Sequence, residues 1–311
     1  MEEQKKKSVK EALFEIYDKK YRILLFIPIS VLILSLIQIG YQSYTTGSFL
    51  NKGVSLKGGV TITVPIDKEL DLINLERQIS SEFPANDIVV RELRGAGRAT
   101  GIILEADIDT SHQESIDKLL KTIERNLEVE FREVDYRIEI IGSSLGESFF
   151  RESLIALALA FLFMGLVVLI YFRTYVPSVA IILATFSDMA ISLAVVNLLD
   201  IKIGTAGIAA FLMLIGYGVD TNILLTVRVL KRKEGSVMDR IISSVKTGMT
   251  MTVIAILTTI IVLLVNQSEV IRQIMIIMLV GLFADILNTW IQNVAILRIY
   301  LERQAKKGIS V

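Results

Sequence analysis

The 311-residue sequence has no cysteine, a single histidine (His112), a single tryptophan and only four prolines. Without cysteine there is no disulfide, no thiolate metal site and no cysteine nucleophile. One histidine excludes a multi-histidine metal centre. An excess of either charge is also lacking: 33 Lys and Arg balance 33 Asp and Glu, so there is no general basic footprint for nucleic acid. Walker and zincin motifs are absent as well, so hydrolysis is not expected, no cofactor is implied, and any work must draw on an ion gradient or a partner. Hydrophobicity is what the chain has in excess. At 52% hydrophobic residues and a mean hydropathy of +0.57, most of it is expected to lie in a lipid bilayer.

Residues 1–22 are polar and basic, with Lys5, Lys6, Lys7, Lys10, Lys19, Lys20 and Arg22. Val9, Leu13, Phe14, Ile16 and Tyr17 within them fit either a short amphipathic surface helix or a solvated helical leader. The first apolar run, Ile23 to Gln42, has the length needed to cross about 30 Å of hydrocarbon at about 1.5 Å per residue. Its length and its late start do not fit a cleavable signal peptide. Further apolar runs are expected at 152–172, 176–198, 204–227, 247–265 and 271–297, none with proline in its interior. Lys and Arg gather in the leader, at Arg173, between Arg228 and Lys246, and after Arg298. The positive-inside bias then predicts cytoplasmic termini and an extracytoplasmic segment 43–148 in a cell-membrane protein.

That segment has the character of a soluble domain. Val60, Ile62 and Val64 alternate after Gly58-Gly59, and Leu72, Leu75, Ile79 and Phe83 recur at helical spacing. Residues 87–94 and 100–106 read as strands joined through Gly95-Ala96-Gly97-Arg98, a strand-to-strand connection and so not a dinucleotide loop. Ser111-His-Gln-Glu114 is a capping-box pattern ahead of Ile116, Leu120, Ile123 and Leu127. Residues 131–141 alternate again. The order β-α-β-β-α-β predicts a ferredoxin-like α+β domain between the first and second of six transmembrane helices.

Three acids sit inside the apolar runs: Asp188, Asp220 and Asp285. A charged carboxyl at membrane depth is costly, so such acids usually face a bundle interior and mark an ion path, although structural pairing is the plainer use. Asp220 stands out because Asn222, Gly216 and Gly218 surround it. Asn288, Thr289 and Gln292 share a helical face with Asp285. Lys246, at the edge of the fifth run, is placed either to pair with Asp220 or to snorkel to the interface. The glycines are expected to allow close helix packing, with unwinding near Asp220 as the sharper alternative.

The chain resembles the SecF family, the smaller subunits of the SecD–SecF protein-export complex, in the archaeal form. Gly53-Val-Ser-Leu-Lys-Gly-Gly-Val60 is similar to the family's glycine-pair motif; Gly58 and Gly59 belong to it. Residues 207–232 resemble the fourth-span signature with its basic exit, and Lys246-Thr-Gly-Met-Thr250 the fifth-span entry. Val219-Asp220-Thr221-Asn222 departs from the bacterial SecF pattern toward that of SecD. Ser187 stands where a histidine often precedes the third-span acid, and Lys246 where arginine is usual. The resemblance implies a half bundle of the resistance–nodulation–division type that pairs with SecD. It also implies contact with the Sec translocon channel and the translocating polypeptide, and an ion relay through Asp220, Asp188, Asp285, Asn222 and Lys246. The rival readings are a non-conducting scaffold and a small-molecule exporter subunit. An exporter should carry an internal duplication and two large external domains, and this chain has neither.

Overall fold

The structure is a computed structural model and describes residues 17–66, 70–95, 98–127, 136–231, 235–266 and 268–307. The leader before residue 17, the tip residues 96–97 and residues 131–135 lie outside the described residues. Among the described residues, six helices are long and apolar enough to cross a membrane. The first comprises α1 (Tyr21–Leu24) and α2 (Phe26–Thr46), with Pro28 in the first turn of α2, where it disrupts no helical hydrogen bond. It ends at Gly47, whose φ of 72° makes a left-handed cap.

The domain between the first two spans follows: α3 (Val54–Lys57), β1 (Gly59–Val64), α4 (Leu72–Glu82), β2 (Ile88–Gly95), β3 (Arg98–Ala106), α5 (Gln113–Leu127) and β4 (Arg137–Ile141). Sheet order is β2-β3-β1-β4 with every neighbour antiparallel, the split arrangement that the element order predicts. In register, Ile62 faces Leu104 on one side and Ile138 on the other. Alternation puts Val60, Ile62 and Val64 of β1 on one face, where they pack with Leu104 and Val90 against Leu75 and Ile79 of α4 and Leu119 and Ile123 of α5. Asp71 caps α4 by accepting the Asn74 N–H (3.1 Å). The Ser111 capping box does not form. Asp109 accepts the Ser111 N–H (2.9 Å) in a tight turn, and the helix starts two residues later, at Gln113.

The other face of the sheet looks toward the bundle across a cavity of about 320 Å³, lined by Thr61, Arg91, Glu105, Glu139 and Gln273 among others. The chain after α2 fixes that placement. Gly53 donates its N–H to the Ile203 carbonyl (2.9 Å), and Ile203 donates to Asn51 (2.7 Å). Asn197 Nδ2 donates to the Phe49 carbonyl (3.0 Å), and Lys202 pairs with Asp87 of the domain.

Helix α6 (Ser143–Phe172) begins nine residues before its apolar run, because Gly146 in its first turn packs on the Gly58 backbone. Then come α7 (Tyr175–Leu198), α8 (Thr205–Lys231) and α9 (Val237–Val265). The last span runs through α10 (Glu269–Leu287), a π turn (Asn288–Asn293) and α11 (Val294–Lys306). Helix α9 starts ten residues before its apolar run. A capping box between Ser236 and Asp239 nucleates the start, and Ile241 and Ser244 give the extra turns a buried side. Helices α7 and α8 are the inner pair, with 61% and 50% of their apolar windows buried; α6 at 11% and α9 at 17% turn large apolar side chains outward, toward lipid.

Candidate functional site

Helix α7 crosses the interior because its side chains are small or self-satisfied. Thr185, Ser187 and Ser192 each donate their hydroxyl to the carbonyl four residues back (3.1, 2.8 and 2.6 Å), so burying them leaves no donor stranded. That frees Asp188, completely buried, to face α8 and the π turn. Its Oδ1 accepts from Asn288 Nδ2 at 2.8 Å. On α8 the neighbour is Gly218: a Cβ there would lie 3.0 Å from Asp188 Oδ2, so only glycine leaves that oxygen its room.

Asp285, on the last turn of α10, is also completely buried. Its Oδ1 accepts from the hydroxyls of Thr221 (2.9 Å) and Thr289 (2.6 Å). Asn222 donates to the Gly218 carbonyl (2.7 Å) and accepts from Asn293 Nδ2 (2.6 Å). The wide π turn sets Asn288, Thr289, Gln292 and Asn293 side by side in the interior. π turns of this kind recur at functional sites. Asp188, Asp285 and Asn222 therefore meet in one polar cluster at the junction of α7, α8 and the last span.

Two sequence-predicted residues stand apart from that cluster. Asp220 is exposed on the outer face of α8. Successive residues on a helix are about 100° apart, so with Thr221 and Asn222 both inward, Asp220 two positions before Asn222 must turn away. The expectation that all three acids share one interior is corrected accordingly. Lys246 is likewise exposed, and among the described residues it forms no ion pair with Asp220. Gly216 is on the same outer side as Asp220, with nothing within 4 Å of a Cβ built there. Gly58 (φ 89°) and Gly59 (φ 134°) lie far along the chain at the domain junction, where a Cβ would run into backbone of Ser143 and of Ala106. Their role there is close backbone approach.

Sequence pattern alone gives Thr221 and Asn293 no role at the site. Thr221 is signalled only by its spacing, three residues after Gly218. Asn293 depends on the π turn, which no sequence pattern announces. Arg228, read as part of a basic exit, instead ties α8 to α9 by donating to the Ser243 carbonyl and to Thr247 Oγ1, both at 2.8 Å.

Residues 120–303 match the family described as protein export membrane protein SecD/SecF, C-terminal. Protein-export membrane protein SecF of Methanocaldococcus jannaschii is 34% identical over 300 residues, covering 93% of this chain and 99% of that one. The chain belongs to the SecF family. Another relative, SecF of Methanothermobacter thermautotrophicus, is 35% identical over 289 residues, covering 91% of this chain and 94% of the relative. A crystal structure of SecDF from Thermus, described as a translocon-associated membrane protein, superposes with a TM-score of 0.71 at 18% identity. It covers 94% of this chain, while the chain spans 42% of that longer SecDF chain. The likeness to SecDF is thus one of fold, with a SecF-family member matching somewhat under half of the larger chain. A SecF-family chain with six apolar helices is a multi-pass membrane subunit of the protein-export machinery.

Proposed function

We propose that the chain works as a SecF-type accessory subunit that pairs with SecD beside the Sec translocon channel and promotes export of the translocating polypeptide. The work comes from a proton or sodium gradient acting through the intramembrane acids. The termini are cytoplasmic and residues 43–148 extracytoplasmic. One observation carries the reading: the exposed acid on α8. Asp220 follows Ala209, Met213 and Gly216 along one outward stripe, in which Met213 alone is large and apolar. On α6 and α9 the outward positions are large and apolar, such as Leu162, Ile170, Leu257 and Leu264. A carboxylate and small residues make a poor face for lipid and a good one for a second helical bundle. SecD in that position would cover Asp220 and let it exchange an ion at the seam. Lys246 supplies positive charge on the cytoplasmic side, while Asp188, Asp285 and Asn222 act within the bundle.

The test is export by the assembled pair carrying Asp220→Asn. Assembly and folding should persist while gradient-dependent export is lost; normal export would overturn the reading. A scaffold role has its own support, since Asp188 and Asp285 are held by fixed hydrogen bonds. It predicts full export from both Asp220→Asn and Asp285→Asn once the pair has assembled.

A further inference from the structure

Helices α6, α7 and α8 meet at the membrane boundary farthest from the domain. Helix α6 starts beside Gly58 of the domain junction and ends at Phe172, so its last turn, the start of α7 at Tyr175 and the end of α8 at Lys231 share the opposite side. Val219, Ile223 and Val227 of α8 pack on Val168 and Phe172 of α6, and Lys231 continues that stripe by one turn. Its ammonium lies 3.9 Å from the centre of the Tyr171 ring and 5.7 Å from that of Phe172. The two rings stand edge to face at 4.9 Å and fix where the charge sits. Arg173 follows Phe172 directly, turning the chain with a φ of 53° and leaving its side chain exposed. Among the described residues neither Lys231 nor Arg173 forms an ion pair. Two cations without a counter-charge therefore stand at one corner of the boundary. The start of α7 adds to the field there, since Thr174 makes no side-chain cap and Pro177 has no N–H to offer.

We propose that this corner binds the headgroup phosphate of an anionic phospholipid, with Lys231 and Arg173 on the phosphate oxygens. Basic sites between transmembrane helix ends take lipid headgroups in this way. Tyr171 and Tyr175 are exposed beside the two cations, at the depth where tyrosine rings belong in a bilayer. Below them Val167 and Ile170 of α6 and Val179 of α7 are exposed and apolar, a bed for the acyl chains. A soluble anion would meet the charges and leave that bed unused. A second helical bundle fits the corner poorly, because its side chains are large and apolar where the Asp220 stripe of α8 is mostly small. Under the proposed topology the leaflet is the cytoplasmic one, but the site itself requires only the three helix ends. A bound phosphate would tie the end of α8 to the turn between α6 and α7.

The experiment is native mass spectrometry of the full chain released from mixed micelles that hold equal amounts of phosphatidylglycerol and phosphatidylcholine. Preferential retention of phosphatidylglycerol is expected. Lys231→Ala and Arg173→Gly should each lower that retention about fivefold, and Lys231→Arg should keep most of it. Glycine is the choice at 173 because it accepts the left-handed backbone. Lys306→Ala removes the same charge from the same membrane side, at the end of α11, and should change retention by less than about twofold. Circular dichroism checks that each variant is folded, and Lys231→Gln takes the place of Lys231→Ala if that one is not. Equal retention of the two lipids overturns the proposal. A loss from Lys306→Ala as large as that from Lys231→Ala overturns it too, since the attraction is then diffuse. Glycerol 3-phosphate should fail to displace the phospholipid; displacement makes the corner a site for soluble anions and refutes the lipid assignment. None of these outcomes bears on Asp220, whose own test is export.

Discussion

Three glycines allow the domain junction to be tested as a graded series. Gly40 lies inside α2 with nothing within 4 Å of an added Cβ; Gly47 has open space but a φ of 72°; Gly58 combines a φ of 89° with a clash against Ser143 backbone. Alanine at Gly40 should stabilise by up to about 0.5–1 kcal/mol, because it lowers the entropy of the unfolded chain without strain. At Gly47 the left-handed backbone should cost about 1–2 kcal/mol. Gly58 lies in a backbone region almost confined to glycine, worth about 1–3 kcal/mol, and the overpacked backbone contact adds about 1–3 more, giving roughly 2–6. Relief by side-chain movement is closed off, because the atoms met are the N and Cα of Ser143. The measurement is denaturant unfolding in mixed micelles by circular dichroism, with amide exchange at Val54–Lys57 to detect local undocking. If Gly58→Ala proves no more harmful than Gly47→Ala, the close approach of the junction to α6 is not a structural constraint and the reasoning fails.

The Asp87 contact should depend on pH. Burial alone would raise its carboxyl, but the Lys202 and Lys57 ammoniums hold it below the ordinary carboxylate value. A folded value below the unfolded one means the stabilisation is complete above about pH 4 and fades as pH falls through the folded value. Amide protection at Ile203–Thr205, with the intrinsic pH dependence of exchange divided out, should therefore fall in acid, and Asp87→Asn should show that lower protection at neutral pH with little further change. Gly248→Ala drives a Cβ into the Trp290 ring, so destabilisation of about 1–3 kcal/mol and a shifted tryptophan emission are expected; unchanged emission counts against the packing. Tyr17→Phe removes a 2.6 Å hydrogen bond to the Trp290 carbonyl and should cost about 1 kcal/mol in thermal melting.

Apolar run length and period carry most of the architecture. The runs after residue 23 give six spans, and alternation in β1 against helical spacing in α4 and α5 gives the domain. Helix starts are less visible. The Ser236/Asp239 box extends α9 through a charged stretch, and α6 begins at Ser143 because of a contact with Gly58 that no local pattern contains. At the site, Asp285 with Asn288, Thr289 and Gln292 is legible as one helical face. Asp220 is not, because an acid in an apolar run is equally unwelcome in lipid whichever way it points.

Composition and local periodicity thus determined a six-span membrane chain with one ferredoxin-like domain, since each depends only on the residue and its near neighbours. Tertiary structure alone decided which acids meet. Asp188 and Asp285 are nearly a hundred residues apart and come together only because small α7 side chains, Gly218 and the π turn let three helices close on one point. Asp220 turns outward because Thr221 and Asn222 take the inward side of α8, and a helix cannot aim all three the same way.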